Sequence, residues 1–349
     1  MRNLRRRDFL EALTYASLFA TLAPRSITSG QVRLPTRREW ERARDRLLAG
    51  MQTVMGNLPP KSKTRVEIVN ISSEDLPEFT RRKITYQSEP GKSGEPGDYV
   101  PAYLLLPKRF KKKAPAMLCL HQTIAIGKDE PAGLGGNPDL HYAKELAERG
   151  YVTIVPDYPY LGENKFDPYK NGYLSCTMKG IVNHRRAIDV LESLPEVDRK
   201  HIGSIGHSLG GHNTLFVAAF DDRIKAMVTS CGFNSFRKYN GGDITGWAGK
   251  RYMPLIGERY SNSWEKMPFD FPELVASLAP RHLYINAPLH DSNFEVSGVR
   301  DCVDRAHPAY AQVFNAKDNL VVDYPDAGHQ FPKAVRESAY AFLDGWAKR

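Results

Sequence analysis

From Ala116 to the C-terminus, short and nearly unbroken apolar runs alternate with segments of helical spacing, and few folds accommodate that order. AMLCLHQ, YVTIVPDYP, HIGSIGH, IKAMVTSCG, HLYINAPLH and NLVVDYP read as strands. DLHYAKELAERG, TMKGIVNHRRAIDVLESL, the stretch from Leu209 to Phe220, a segment near Val299 to Phe314 and the stretch from Lys333 to Trp346 carry apolar residues at helical spacing. Strands apolar on both faces and separated by helices require a mostly parallel sheet covered on both sides. The expected class is therefore α/β: a twisted, mostly parallel sheet with helices on both faces.

The preceding residues differ. Thr36 to Leu58 has helical spacing, with Pro59-Pro60 expected to stop it, and TRVEIVNI, RRKITYQS and YVPAYLLLP read as antiparallel strands. Residues 31–115 thus form an N-terminal helix and strands of a domain expected to run over 31–349. Residues 233–278 are too long for a plain connection and rich in Tyr, Trp, Phe, Gly and Pro; they read as a lid or substrate-binding insertion, with packing elaboration as the competing reading. Residues 1–30 have the layout of a bacterial signal peptide, and the pair Arg6-Arg7 resembles the twin-arginine type, so export to the periplasm or beyond is expected. The apolar part, Ala12 to Ala23, falls short of the ~20 residues that span a bilayer. The formal net charge of +9 is spread along the chain, with no basic platform interleaved with aromatics, so a nucleic-acid partner is not expected. Cys119 lies within an expected core strand and Cys231 at the end of another, which favours free buried thiols over disulfides.

Gly206-His207-Ser208-Leu209-Gly210 places a serine where an expected strand hands over directly to a helix. At such a corner the central residue is forced into a strained backbone, and only small residues fit two positions either side. In return its hydroxyl stands clear of the sheet's C-terminal edge, and the helix turns free N–H groups, Leu209 first, toward an oxyanion formed there. Serine needs a base, and His329 in DAGHQFP follows the last strand and precedes the last helix. The imidazole in turn needs an acid: Asp291 follows the preceding strand, whereas Glu295, Asp301 and Asp304 lie farther into the loop or the next helix.

The order Ser208, Asp291, His329, with His121-Gln122-Thr123 after the early strand, resembles the α/β-hydrolase fold; VPDYPYLGE, GHSLGGHNTL and GHQFP resemble its dienelactone-hydrolase-like and acetyl-xylan-esterase-like branch. The resemblance implies an oxyanion hole made of the Leu209 N–H and a second N–H from Thr123 or Gln122. It implies a serine esterase working through an acyl-enzyme, with a small or carbohydrate ester as substrate, no cofactor and no metal. A propeller-less serine peptidase of the prolyl-oligopeptidase type and a non-catalytic binding protein on the same scaffold are the rivals. Pocket candidates are His121, His207, Tyr158, Tyr160 and Trp247; Tyr169, Tyr173, Trp264, Phe269 and Phe271 serve either a pocket or the insertion's own core. His201, His207 and His212 straddle a strand, a turn and a helix without a metal-ligand pattern, which points to structural or supporting roles.

Overall fold

The computed structural model describes residues 36–348 except 63, 92–96 and 111, so the leader reading of residues 1–30 lies outside the described residues. One sheet of nine strands organises them: β1 (Ile68–Asp75), β2 (Phe79–Glu89), β3 (Asp98–Pro107), β4 (Ala114–Leu120), β5 (Val152–Pro156), β6 (Val197–His207), β7 (Ala226–Ser230), β8 (His282–Asn286) and β9 (Leu320–Asp323). Their spatial order is β1-β2-β3-β5-β4-β6-β7-β8-β9. β1, β2 and β3 pair antiparallel, β3 runs antiparallel to β5, and every pair from β5 to β9 is parallel.

The two-residue period of a strand sorts the apolar runs between two cores. In β4, Ala114, Ala116, Leu118 and Leu120 enter one core, and Met117 and Cys119 enter the other. β8 divides likewise, with Leu283 and Ile285 on one face and Tyr284 on the opposite face. The first core is covered by α1 (Arg37–Met55), α3 (Cys176–Ser193), α4 (Leu209–Phe220), α6 (Phe271–Ser277) and α7 (Val296–Pro308); the second by α2 (Tyr142–Glu148) and α8 (Lys333–Ala347).

Local chemistry sets several boundaries. α1 starts at a capping box in which Thr36 and Glu39 satisfy each other's backbone N–H groups, and it ends at Gly56, whose φ of 95° suits glycine. The expected stop at Pro59-Pro60 is therefore three residues late, because the glycine breaks the helix first. α7 begins at Val296, and a π-helical turn over Ala309–Val313 completes the segment expected near Val299 to Phe314. Residues 233–278 are less irregular than their composition suggested, since they contain α5 (Leu255–Tyr260), α6 and three short 3-10 turns. Phe271 stacks on Phe233 and Phe216 with ring centroids 5.5 and 5.8 Å apart, which roots this segment in the main core. All four cysteines are buried and unpaired. No helix among the described residues is long and apolar enough to cross a membrane.

Candidate active site

The ends of β4, β6, β8 and β9 open on a cavity of about 340 Å³, lined by Ser208, Leu209 and His329 together with residues of the β4 loop, the 233–278 segment and the β8 loop. Ser208 sits at the β6–α4 corner with φ 55° and ψ −116°, a conformation that costs a non-glycine residue about 1–3 kcal/mol and persists only where packing enforces it. Its N–H donates to the Ser230 carbonyl at 2.9 Å, and its hydroxyl does not cap α4, which leaves the oxygen free at the cavity.

The flanking glycines permit this crossing. A Cβ on Gly206 would overlap the backbone of Gly210, and one on Gly210 would overlap the Leu120 carbonyl oxygen of β4. Neither obstacle is a movable side-chain tip. Gly210→Ala is accordingly expected to destabilise the protein by about 3 kcal/mol or more and to lower Tm by about 10 °C in a calorimetric scan.

His329 directs Nδ1 at both carboxylate oxygens of Asp291, each 3.0 Å away. The Asp291 side chain is 1% exposed and that of His329 19%, so the ring bridges the interior and the cavity. Asp291 also accepts the N–H groups of Asn293 and Phe294 at 2.8 and 3.0 Å. Burial alone would raise its carboxyl, but the hydrogen bond and charge of His329, with those two backbone donors, hold it below its ordinary value. With Nδ1 committed to the carboxylate, Nε2 remains for the cavity.

Behind His329 lies His207, ring centroids 4.8 Å apart. Its Nδ1 meets the Ser230 hydroxyl at 2.9 Å, and burial pushes it down to about 3, so it is a neutral packing partner. His207, Cys231 and His329 bring potential ligand atoms within 4.8 Å of one another, but the His329 ring is already bonded to Asp291, and burial pushes the Cys231 thiol up.

The β4 loop is fixed by buried polar contacts. His121 accepts the Tyr158 N–H at Nε2 (3.0 Å), so Nδ1 carries the proton and donates to the Gln122 carbonyl at 2.6 Å. The Gln122 amide reaches back to the buried Glu130 carboxylate at 3.0 and 3.1 Å. The Thr123 hydroxyl meets the Tyr252 hydroxyl at 3.1 Å. Farther back, buried Lys128 pairs with buried Asp157 at 3.0 Å and ties this loop to the one after β5. Gln122 and Thr123 thereby form the cavity wall facing Leu209.

Of the pocket candidates, Trp247 lines the cavity, whereas His121, His207, Tyr158 and Tyr160 do not. His121 and Tyr158 hold two loops together, Tyr158 also donating its hydroxyl to the Arg251 carbonyl at 2.9 Å, and Tyr160 is bonded to Asp167 at 2.6 Å. Trp264, Phe269 and Phe271 are likewise outside the lining. His212, Tyr239, Tyr252, Asn293 and Phe294 are lining residues that sequence reasoning passed over or assigned to structure. For His212 a signal existed: four residues beyond Ser208 on one helix, it shares that residue's face.

A family model described as the dienelactone hydrolase family matches residues 100–241, and one described as glucuronyl esterase of fungi matches residues 182–313. The chain belongs to the α/β-hydrolase superfamily. YtaP of Bacillus subtilis is 26% identical over 260 residues, spanning 70% of this α/β-hydrolase and 83% of YtaP. A glucuronoyl esterase from Solibacter usitatus superposes with a TM-score of 0.70 at 17% identity, over 93% of this chain and 99% of that one. An acetyl xylan esterase from Paenibacillus sp. R4 gives 0.60 at 17% identity, over 90% and 96%. Both family models describe ester-cleaving enzymes, and this α/β-hydrolase is a carboxylic ester hydrolase.

Proposed function

We propose that the protein hydrolyses carbohydrate-linked carboxylic esters through a Ser208-His329-Asp291 triad and an acyl-enzyme. One observation carries this reading: a strained serine and a carboxylate-bound imidazole, 121 residues apart in sequence, share one cavity wall. His329 Nε2 takes the Ser208 proton as Oγ attacks the ester carbonyl, and the imidazolium then protonates the leaving alcohol. Water, deprotonated by the same nitrogen, releases the acid. Asp291 holds the ring in the tautomer that makes this possible and stabilises its charged form.

The tetrahedral oxyanion rests on the Leu209 N–H at the start of α4 and on an N–H of Thr123 or Gln122 across the cavity. The clamps formed by His121 and Glu130 support that assignment by immobilising the loop before substrate arrives. A carbohydrate substrate is favoured by the names of the relatives and by a wall of hydroxyl, amide and aromatic groups, which suits a hydroxylated ring better than a hydrocarbon chain.

A fluorophosphonate probe should label Ser208 stoichiometrically in folded protein and abolish turnover of 4-nitrophenyl acetate. Absence of labelling would return the chain to the binding-protein reading. Asp291 should add no limb of its own to the activity profile near neutral pH, because its carboxyl is held below its ordinary value. A kcat/KM profile against pH checks this.

A further inference from the structure

Two residues that line the cavity each carry a buried ring nitrogen with no hydrogen-bond partner among the described residues. His212 lies one turn into α4, its N–H donating to the Ser208 carbonyl at 3.2 Å, and its ring meets Trp247 nearly edge-on with centroids 4.9 Å apart. His212 is 4% exposed and Trp247 3%, both line the cavity, and neither His212 Nδ1 nor Trp247 Nε1 has a hydrogen-bond partner among the described residues. Buried polar atoms are nearly always paired, so two orphans on rings in contact, one of them a turn beyond Ser208, point to a partner that arrives with the ligand.

Their chemistry narrows what that partner is. An indole N–H can only donate. Burial pushes the His212 imidazole down to about 3, so it is neutral, with one N–H and one lone pair. In the tautomer with its proton on Nε2, the neutral ring presents a lone pair at Nδ1 beside the indole donor. A donor beside an acceptor matches a hydroxyl, which accepts one hydrogen bond and donates another. Among the described residues no Asp, Glu, Lys or Arg lines the cavity, so a charged group placed here would lose its hydration without gaining a counter-charge.

We propose that His212 and Trp247 form a subsite that reads a neutral hydroxyl beside the scissile ester, selecting partly acylated sugars that keep a free neighbouring hydroxyl over those in which it is blocked. This rests on the esterase reading above and adds a substrate class to it. The two residues are specificity determinants; the bonds made and broken remain those at Ser208 and the ester.

A matched pair of substrates tests the subsite: methyl 2-O-acetyl-β-xyloside and the same compound with its remaining hydroxyls O-methylated. The wild type is expected to favour the free-hydroxyl ester by about ten-fold in kcat/KM, the worth of one well-made hydrogen bond to a buried group. His212→Phe should bring the ratio close to one, mainly through KM, and His212→Asn, which keeps a polar atom at the δ position, should restore most of it. If His212→Phe does not fold, Trp247→Phe carries the same comparison. A ratio that survives in a folded variant, or an equal loss on both esters, overturns the proposal, since a purely structural role would move both substrates together. Failure of the esterase reading is distinct: the wild type would then cleave neither ester and Ser208 would resist the fluorophosphonate.

Discussion

Ser208→Ala is expected to leave a folded protein whose kcat on 4-nitrophenyl acetate has dropped by about 10⁴-fold or more. The size follows from the division of labour at the site. In the proposed mechanism, removal of Oγ leaves no covalent intermediate and no proton for His329 and Asp291 to handle, and what remains is oxyanion stabilisation and binding. The substitution removes one oxygen that caps no helix, so thermal unfolding should change by less than about 1 kcal/mol. Alanine would still occupy the φ 55° corner, because the crossing of Gly206 and Gly210, not the hydroxyl, imposes that backbone. Retention of wild-type turnover in a folded Ser208→Ala protein would defeat the proposed mechanism.

Asp291→Asn should be almost as damaging, lowering kcat by about 10⁴-fold with little change in KM. The carboxylate only accepts hydrogen bonds, and it takes three, from His329 Nδ1, Asn293 N–H and Phe294 N–H. An amide turned so that its oxygen keeps the two backbone donors presents its NH₂ to the imidazole. Nδ1 must then become the acceptor, and the proton moves to Nε2, where a base is required. The variant should also differ in acid. A carboxyl lowered by folding adds stability that is fully present above its unfolded value, about pH 4, and is lost as pH falls through its lower folded value. Tm of the wild type should therefore fall more steeply below pH 4 than Tm of Asp291→Asn, a comparison that calorimetry at a series of pH values makes directly.

The sheet could be read from the residues because its information is local. The alternation of Met117 and Cys119 with Leu118 and Leu120 is a two-residue period, and the Gly206 to Gly210 corner needs small residues at set offsets. That Asp291 and His329 would meet was legible for a related reason: each follows a strand, and adjacent parallel strands deliver their C-terminal loops to the same edge. The rest of the cavity was not, because its lining is decided by which way side chains turn once distant segments meet. Trp247 and Phe271 are both aromatic, lie in one segment and pack on each other in the core, yet only Trp247 also reaches the cavity lining, while Phe271 sits between Phe216 and Phe233. His121 and Tyr158 resemble pocket residues in composition but tie neighbouring loops together behind the wall. No spacing rule foretells an imidazole accepting a peptide N–H from 37 residues away.

The turn that secures Asp291 has a bearing on how such an enzyme changes its diet. What the carboxylate borrows from residue 293 is a peptide N–H, which every amino acid but proline supplies, while Asn293 is also one of the residues lining the cavity. Anchorage and selectivity are thus written in separate parts of one residue. A lineage, or a mutagenesis library, can vary that side chain to admit new esters without loosening the acid beneath it.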